Sequence, residues 1–301
     1  MTETSKADSA HTSGTRISTN AWFNGDITPR ETGAPSIASI NLHIGTSVFD
    51  GIMAYLNDDH YHVLRAEAHL HRFREGAARM GLEIPWTVAE LARGILDLLE
   101  TEPKGTQYIR PIAYRRAPDL WLTGSERQPV DVSIFTVKVD RQIDMRMSCH
   151  ISTVERISSR AIPRQIKVSG AYVNSYNVRR TAELAGFNDG IMLDTEGRLA
   201  EASAANVFVL VGDQLITPPL NPDVFPGITR QVVLEIATGA GIEVSQADLL
   251  PSDLGRVTGA FLCSTLMEIR PISLLDATPL DTQQHPVYRY ILQSFRDIIS
   301  T

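Results

Sequence analysis

One acid, Glu201, stands in the run Leu199-Ala200-Glu201-Ala202-Ser203-Ala204-Ala205-Asn206, directly before the apolar stretch Val207-Phe208-Val209-Leu210-Val211. A carboxylate packed among alanines is costly to bury unless a cationic or protonated group meets it. Lys167 lies 34 residues earlier, in Gln165-Ile166-Lys167-Val168-Ser169-Gly170-Ala171-Tyr172. A lysine amine can attack a carbonyl or move a proton, although a lone lysine before small residues is usually a surface cation. Pro226-Gly227-Ile228-Thr229-Arg230 opens a helix pattern. Helix N-termini receive anions through unpaired amides and the macrodipole, yet Pro-Gly by itself is common turn chemistry. In Tyr108-Ile109-Arg110-Pro111 the tyrosine and arginine share one face of a strand. A guanidinium there suits a planar carboxylate.

Taken together these runs resemble the fold-type IV aminotransferases, in particular the branched-chain amino acid aminotransferases. The resemblance covers roughly residues 20 to 300 and is closest from 165 to 230. It implies pyridoxal 5′-phosphate (PLP) as cofactor. Lys167 is then the catalytic residue, forming the aldimine with PLP and afterwards moving the proton between the substrate α-carbon and the cofactor. Glu201 is expected to pair with the protonated pyridine nitrogen, with Asn206 beside it, and Tyr172 to bond the ring hydroxyl. Arg72, in His69-Leu70-His71-Arg72, would clamp the phosphate. The amides of Ile228 and Thr229, the Thr229 hydroxyl, the bare backbone of Gly227, and Thr265 in Cys263-Ser264-Thr265 would complete that site.

On the substrate side the resemblance implicates Tyr108, Arg110, the Phe49 and Gly51 of Gly45-Thr46-Ser47-Val48-Phe49-Asp50-Gly51, and Leu266-Met267 after Thr265. It implies an α+β, two-domain fold of the D-amino acid/branched-chain aminotransferase type, with PLP between the domains. The reaction would be ping-pong transfer between an amino acid (glutamate, or a branched-chain or hydrophobic one) and a 2-oxo acid, in a homodimer or larger homo-oligomer. Several positions depart from the family pattern. Ile44 and Met53 replace a usual tyrosine and arginine. Arg115-Arg116-Ala117-Pro118-Asp119-Leu120-Trp121 replaces a glycine-rich loop, and bulky Leu266-Met267 replaces a small pair. These departures point to a specialised substrate and keep other readings open: an amine transaminase of opposite stereopreference, an aminodeoxychorismate-type lyase, or a non-catalytic PLP-binding protein. Arg115 and Arg116 are candidates to meet an acidic substrate.

The elements that must position these residues are partly legible. Trp22-Phe23-Asn24-Gly25 reads as a strand entering a tight turn. Residues 67–80 form an amphipathic helix with Leu70, Phe73, Ala77 and Met80 on one face. Thr87-Val88-Ala89-Glu90 is a capping box followed by helically spaced Leu91, Ile95, Leu98 and Leu99. Strands are expected at 108–114, 130–139, 147–154, 190–194, 206–211 and 258–263. Glu196-Gly197 is the turn expected to join the strands 190–194 and 206–211. Helices are expected at 172–185, stopped by Gly186, at 228–238, and from Pro286 to about 299. Without regular βαβ alternation, a doubly wound nucleotide fold is disfavoured. The boundaries read as a disordered leader over 1–19, a small α+β domain over 20–140 and a larger β-rich domain over 147–301, with Asp140-Arg141-Gln142 as linker.

With 301 residues, 43% of them hydrophobic and 21% charged, the chain can bury a sizeable core. A formal charge of −7 gives nucleic-acid binding no support. No run has the roughly 20 apolar residues of a membrane span. The two cysteines, Cys149 and Cys263, read as reduced buried thiols of a cytoplasmic protein, and no His/Cys spacing implies a metal.

Overall fold

The computed structural model describes residues 16–122, 128–142, 145–163, 165–221 and 223–301. The described strands fall into two sheets, one from each half of the chain. The first holds β1 (Arg16–Ile17), β2 (Asn20–Phe23), β3 (Asp26–Pro29), β4 (Val48–Phe49), β5 (Ile52–Asn57), β6 (His60–Val63), β7 (Gln107–Tyr114) and β8 (Asp131–Lys138). Their order is β3-β2-β8-β7-β5-β6, with β1 on β8 and β4 on β7. Helix α1 (Ile40–Ile44) is short, while α2 (Ala66–Arg79) and α3 (Val88–Thr101) cover one face of the sheet. Leu70 and Phe73 of α2 and Leu91, Ile95 and Leu98 of α3 pack on Ile52, Ile109 and Ile134. Each such buried side chain contributes roughly 1.5–3 kcal/mol.

The second sheet holds β9 (Met147–Ile151), β10 (Asp189–Leu193), β11 (Leu199–Ala202), β12 (Asn206–Val211), β13 (Gln214–Thr217), β14 (Val244–Gln246), β15 (Gly259–Ser264), β16 (Glu268–Leu275) and β17 (Thr278–Pro279). They run in the order β11-β10-β9-β16-β15-β12-β13-β14, with β17 on β16. Helices α4 (Tyr172–Leu184), α5 (Ile228–Gly239) and α6 (Pro286–Ile299) complete this half. Phe208 and Leu210 pack toward α5 and α6, while Val207 and Val209 join the core on the opposite face. Burial on both faces explains why Val207–Val211 is apolar throughout rather than alternating.

The second core also contains Met53, Tyr55 and Leu64 from the first half, so it joins the two lobes. A backbone contact joins them more directly. The Lys167 segment runs antiparallel to the segment 45–49, with a bridge between Val168 and Val48. Phe49 N donates to Lys167 O at 3.0 Å, Ser169 N to Ser47 O at 2.8 Å, and Gly170 N to Gly45 O at 2.8 Å. Gly45 sits at φ 68°, and a Cβ on it would lie 2.7 Å from Gly170 N. A side chain at position 45 would force these segments apart.

The structure amends several sequence expectations. Arg16–Ile17 pairs with Lys138 and Val137 of β8, so the leader read over 1–19 does not extend that far; residues 1–15 lie outside the described set. The Glu196-Gly197 turn joins β10 to β11, not to β12, because Leu199–Ala202 is itself a wholly buried strand paired with β10. Small residues concealed that strand, since alanine has no strand preference. The strand beginning at Met147 ends at Ile151, not at 154. Cys149 and Cys263 are buried and free. Burial pushes the Cys263 thiol up to about 12, and Cys149 higher still.

Candidate active site

Two joined cavities lie between the sheets, and Lys167 and Tyr172 line both. The first begins at the turn between β11 and β12. Glu201, near the end of β11, is buried. Its carboxylate forms an ion pair with the buried Arg156. Its Oε2 accepts from Asn206 Nδ2 at 3.3 Å and from the Phe225 amide at 3.0 Å. A carboxylate offers about four acceptor positions, so these three donors leave one unused on a residue that lines the cavity. Asp189 steadies the turn, accepting from Ser203 Oγ at 2.9 Å and Arg179 Nη1 at 3.3 Å. Burial, the dominant influence, holds the Asp189 carboxyl above its usual range.

Lys167 reaches the same space from the segment bridged to β4. Its Nζ donates to the Tyr172 hydroxyl at 2.8 Å and lies 4.3 Å from the centre of the Phe225 ring. Tyr172 opens α4 and packs against Phe49, with ring centres 4.8 Å apart.

The opposite end of the cavity is built to receive an anion. Gly227 precedes α5 with extended backbone, and no side chain caps the helix. The first amides of α5, those of Ile228 and Thr229, therefore have no intrahelical partner, and both residues line the cavity with Gly227 and Thr265. A Cβ at Gly227 would run into Asn206 Oδ1. Arg72 closes the side. Its Nε and Nη2 donate to the two Asp50 oxygens, each at 2.8 Å, and Nη1 donates to Pro226 O at 3.1 Å. A guanidinium has five N–H groups, so two remain for a ligand. Asp50 also accepts from His69 Nδ1 at 2.9 Å. Burial would raise the Asp50 carboxyl, but Arg72 and His69 outweigh it and hold it far below the usual carboxylate range. Burial, the larger influence, lowers the His69 imidazole despite Asp50.

The second cavity, of about 580 Å³, opens beyond Lys167. Phe49, Gly51, Tyr108 and Arg110 line one side, and Leu266 and Met267 another. Burial along β7 alternates, so Tyr108 and Arg110 share a face, and Arg110 Nη2 donates to the Tyr108 hydroxyl at 2.8 Å. The structure thus gathers the expected cofactor residues around one cavity and the expected substrate residues around its neighbour.

Arg115 and Arg116, candidates for an acidic substrate, are engaged elsewhere in the chain. Arg115 Nη2 donates to Gly81 O at 2.7 Å, and Arg116 Nε pairs with Asp131 at 3.2 Å. Neither lines either cavity. Three participants were missed from sequence. Asp50 lies inside the quoted run Gly45–Gly51, and its position between Phe49 and Gly51 was a signal. His69 and Arg72 are three apart on α2, the spacing that puts two side chains on one helix face. Arg156 lies between β9 and α4 with no local pattern to mark it.

Residues 47–275 match the family described as amino-transferase class IV. The chain belongs to the class IV aminotransferases. The aminotransferase is 31% identical over 264 residues to a probable branched-chain-amino-acid aminotransferase of Aquifex aeolicus (strain VF5), covering 85% of this chain and 84% of the relative. Among solved structures it is similar to a branched-chain aminotransferase from Thermoproteus uzoniensis, with norvaline, at TM-score 0.89 and 29% identity over 95% of both chains. It is also similar to the T.th. branched-chain amino acid aminotransferase complexed with N-(5′-phosphopyridoxyl)-L-glutamate. That match has TM-score 0.87 and 28% identity, over 93% of this chain and 94% of the other.

Proposed function

We propose that this aminotransferase binds PLP in the first cavity and transfers an amino group between an amino acid and a 2-oxo acid in the second. The observation that carries the reading is the meeting of Lys167 Nζ and the Glu201 carboxylate in one cavity that ends at the uncapped N-terminus of α5. The donor set fits the cofactor: unpaired amides and two unused Arg72 N–H groups suit a phosphate, and the open acceptor on Glu201 suits a protonated ring nitrogen.

When bound, PLP supplies an electron sink for negative charge at the substrate α-carbon. Glu201 would keep the proton on the ring nitrogen, and Arg156 would hold that carboxylate in place. Lys167 Nζ would take the proton from the substrate α-carbon and return it two atoms away, on the cofactor side of the transferred nitrogen, with the Tyr172 hydroxyl orienting the amine. Arg110 and Tyr108 would grip the substrate carboxylate, while Phe49, Leu266 and Met267 exclude water. Two half-reactions follow in turn: an amino acid leaves as its 2-oxo acid, then a different 2-oxo acid leaves as an amino acid.

The test is a half-reaction with the PLP-loaded protein and a panel of amino donors, measured by formation of pyridoxamine 5′-phosphate. Conversion by wild type and none by Lys167→Ala is the expected result. Conversion by the alanine variant at the wild-type rate removes Lys167 from its role.

A homodimer is part of the same proposal. Leu42 (58% exposed) and Ile44 on α1, Trp121 (76% exposed) and Leu122, and Val173 (62% exposed) and Tyr176 on α4 are large and uncovered. Hydrogen bonds from Asp119 N to Ala38 O and from Gly170 N to Gly45 O bring these three segments side by side. An apolar band of this kind fits a second copy of the chain. The sheets support a division into domains at 140–147, and two buried free thiols support a reducing, cytoplasmic setting. Among the described residues no helix is long and apolar enough to cross a membrane.

A further inference from the structure

Both arginines that line the first cavity already have a carboxylate. Arg156 is ion-paired with Glu201, and Arg72 takes both Asp50 oxygens. His69 adds no charge beside them, because burial lowers its imidazole. Lys167 turns its amine to the Tyr172 hydroxyl and the Phe225 ring. A phosphate monoester carries about −1.5 to −2 charges at neutral pH. The uncapped start of α5 offers roughly +0.5, and the Arg72–Asp50 pair has no net charge. The groups that would touch a phosphate at this end therefore fall short of balancing it.

Arg230, the third residue of α5, stands directly behind them. It is 3% exposed. Its Nη2 donates to Pro218 O at 3.0 Å and to Gln246 Oε1 at 2.9 Å, both neutral acceptors. Its buried Nε has no hydrogen-bond partner, and no carboxylate is hydrogen-bonded to it, among the described residues. A guanidinium buried in this way is costly without a counter-charge, and desolvation lowers it below its ordinary value. Two neighbours place it against the anion end of the cavity. A Cβ on Gly227, which lines the cavity, would lie 3.4 Å from Arg230 Cβ. Cys263 lines the cavity too; burial raises its thiol, and Arg230 is the charge that draws it back. Arg230 itself does not reach the cavity surface.

We propose that Arg230 is a buried counter-charge for the cofactor phosphate, acting through space across the wall formed by Gly227 and Cys263. Arg72 orients the phosphate by contact, and Arg230 offsets charge that the Arg72–Asp50 pair leaves unbalanced. Away from water a charge is felt at longer range, and salt screens it little. The hydrogen bonds to Pro218 and Gln246 hold the guanidinium without cancelling it, which a carboxylate partner would do. The phosphate and Arg230 thereby compensate each other. The assignment rests on reading the first cavity as a PLP site.

The test titrates the full chain with pyridoxamine 5′-phosphate and with pyridoxamine, which lacks the phosphate, and reads the ratio of the two dissociation constants. Arg230→Met should weaken the phosphorylated ligand about tenfold or more and leave pyridoxamine within about twofold. Arg230→Lys keeps the charge without the forked guanidinium, and should recover most of the ratio. A loss shared equally by both ligands, or one that lysine does not recover, marks a purely structural role and overturns the proposal. An unchanged ratio in a folded Arg230→Met protein overturns it too. Wild type supplies a check that needs no variant to fold. The ³¹P resonance of bound pyridoxamine 5′-phosphate should stay that of the dianion as pH falls past about 6, where a free monoester takes up its proton. A bound phosphate that titrates as it does in water overturns the proposal. If wild type binds both ligands equally or neither, the PLP reading of the cavity falls and takes this assignment with it. A phosphate preference that survives Arg230→Met leaves that reading standing and removes only the counter-charge.

Discussion

The buried pair between Arg156 and Glu201 sets the terms for mutating the acid. Glu201→Gln keeps the side-chain shape but leaves a buried guanidinium without its counter-charge. Breaking such a pair typically costs about 3–5 kcal/mol, so thermal or urea unfolding should show a large loss of stability alongside lost turnover. The double variant Glu201→Gln/Arg156→Met should recover much of the stability and none of the activity. Recovery of both would mean the carboxylate serves only the arginine. The Asp50–Arg72–His69 group makes a prediction about pH. His69 is held neutral by burial, whereas in the unfolded chain it binds a proton below about pH 6.5. The unfolded state therefore gains protons first, and stability should decline as pH falls below that value. The Asp50 contribution persists to much stronger acid, since its carboxyl is depressed. Urea unfolding at about pH 7.5 and about pH 5.5 measures the His69 effect, and His69→Asn should flatten it. At this scale Lys167, Glu201 and Arg72 stood out in the sequence because the runs around them resemble those of a known family, and the structure brings all three to one cavity. Arg156 was not, because a residue that acts only by arriving from a loop leaves no spacing to read.

Among the elements, the entry to α5 carries the most consequence. Gly227 has ordinary extended backbone, so alanine is conformationally acceptable there, but its Cβ meets the Asn206 amide. That amide donates to Glu201 and to Phe225 O at 3.0 Å. Displacing it sacrifices two hydrogen bonds worth roughly 0.5–1.5 kcal/mol each. Gly227→Ala should therefore weaken PLP binding at least about tenfold, as measured by fluorescence titration, while α5 itself stays folded by circular dichroism. Long periodic elements were readable from sequence: the α3 capping box forms as written, with Glu90 N donating to Thr87 Oγ1 at 3.2 Å and Thr87 N donating back to Glu90 at 2.7 Å. Strands such as β4, only two residues long, and β11, half of it alanine, lack enough pattern to be seen without their partners.

For the whole molecule, the exposed apolar band predicts self-association. Val173→Glu combined with Trp121→Ser should shift the assembly toward monomer in sedimentation velocity, with little change in monomer helix content. An assembly unaffected by both changes places the interface elsewhere. The separation into two sheets was readable in the order of strands and helices, but the contact that unites them was not. Lys167 follows β9 in the chain, yet its segment is hydrogen-bonded to the edge formed by residues 45–49. Modular exchange with relatives is constrained accordingly. A chimera cut at the lobe junction would inherit the Lys167 segment from one parent and the rail that holds it from the other. Such hybrids should function only when both parents share that edge, glycine for glycine at positions 45 and 170.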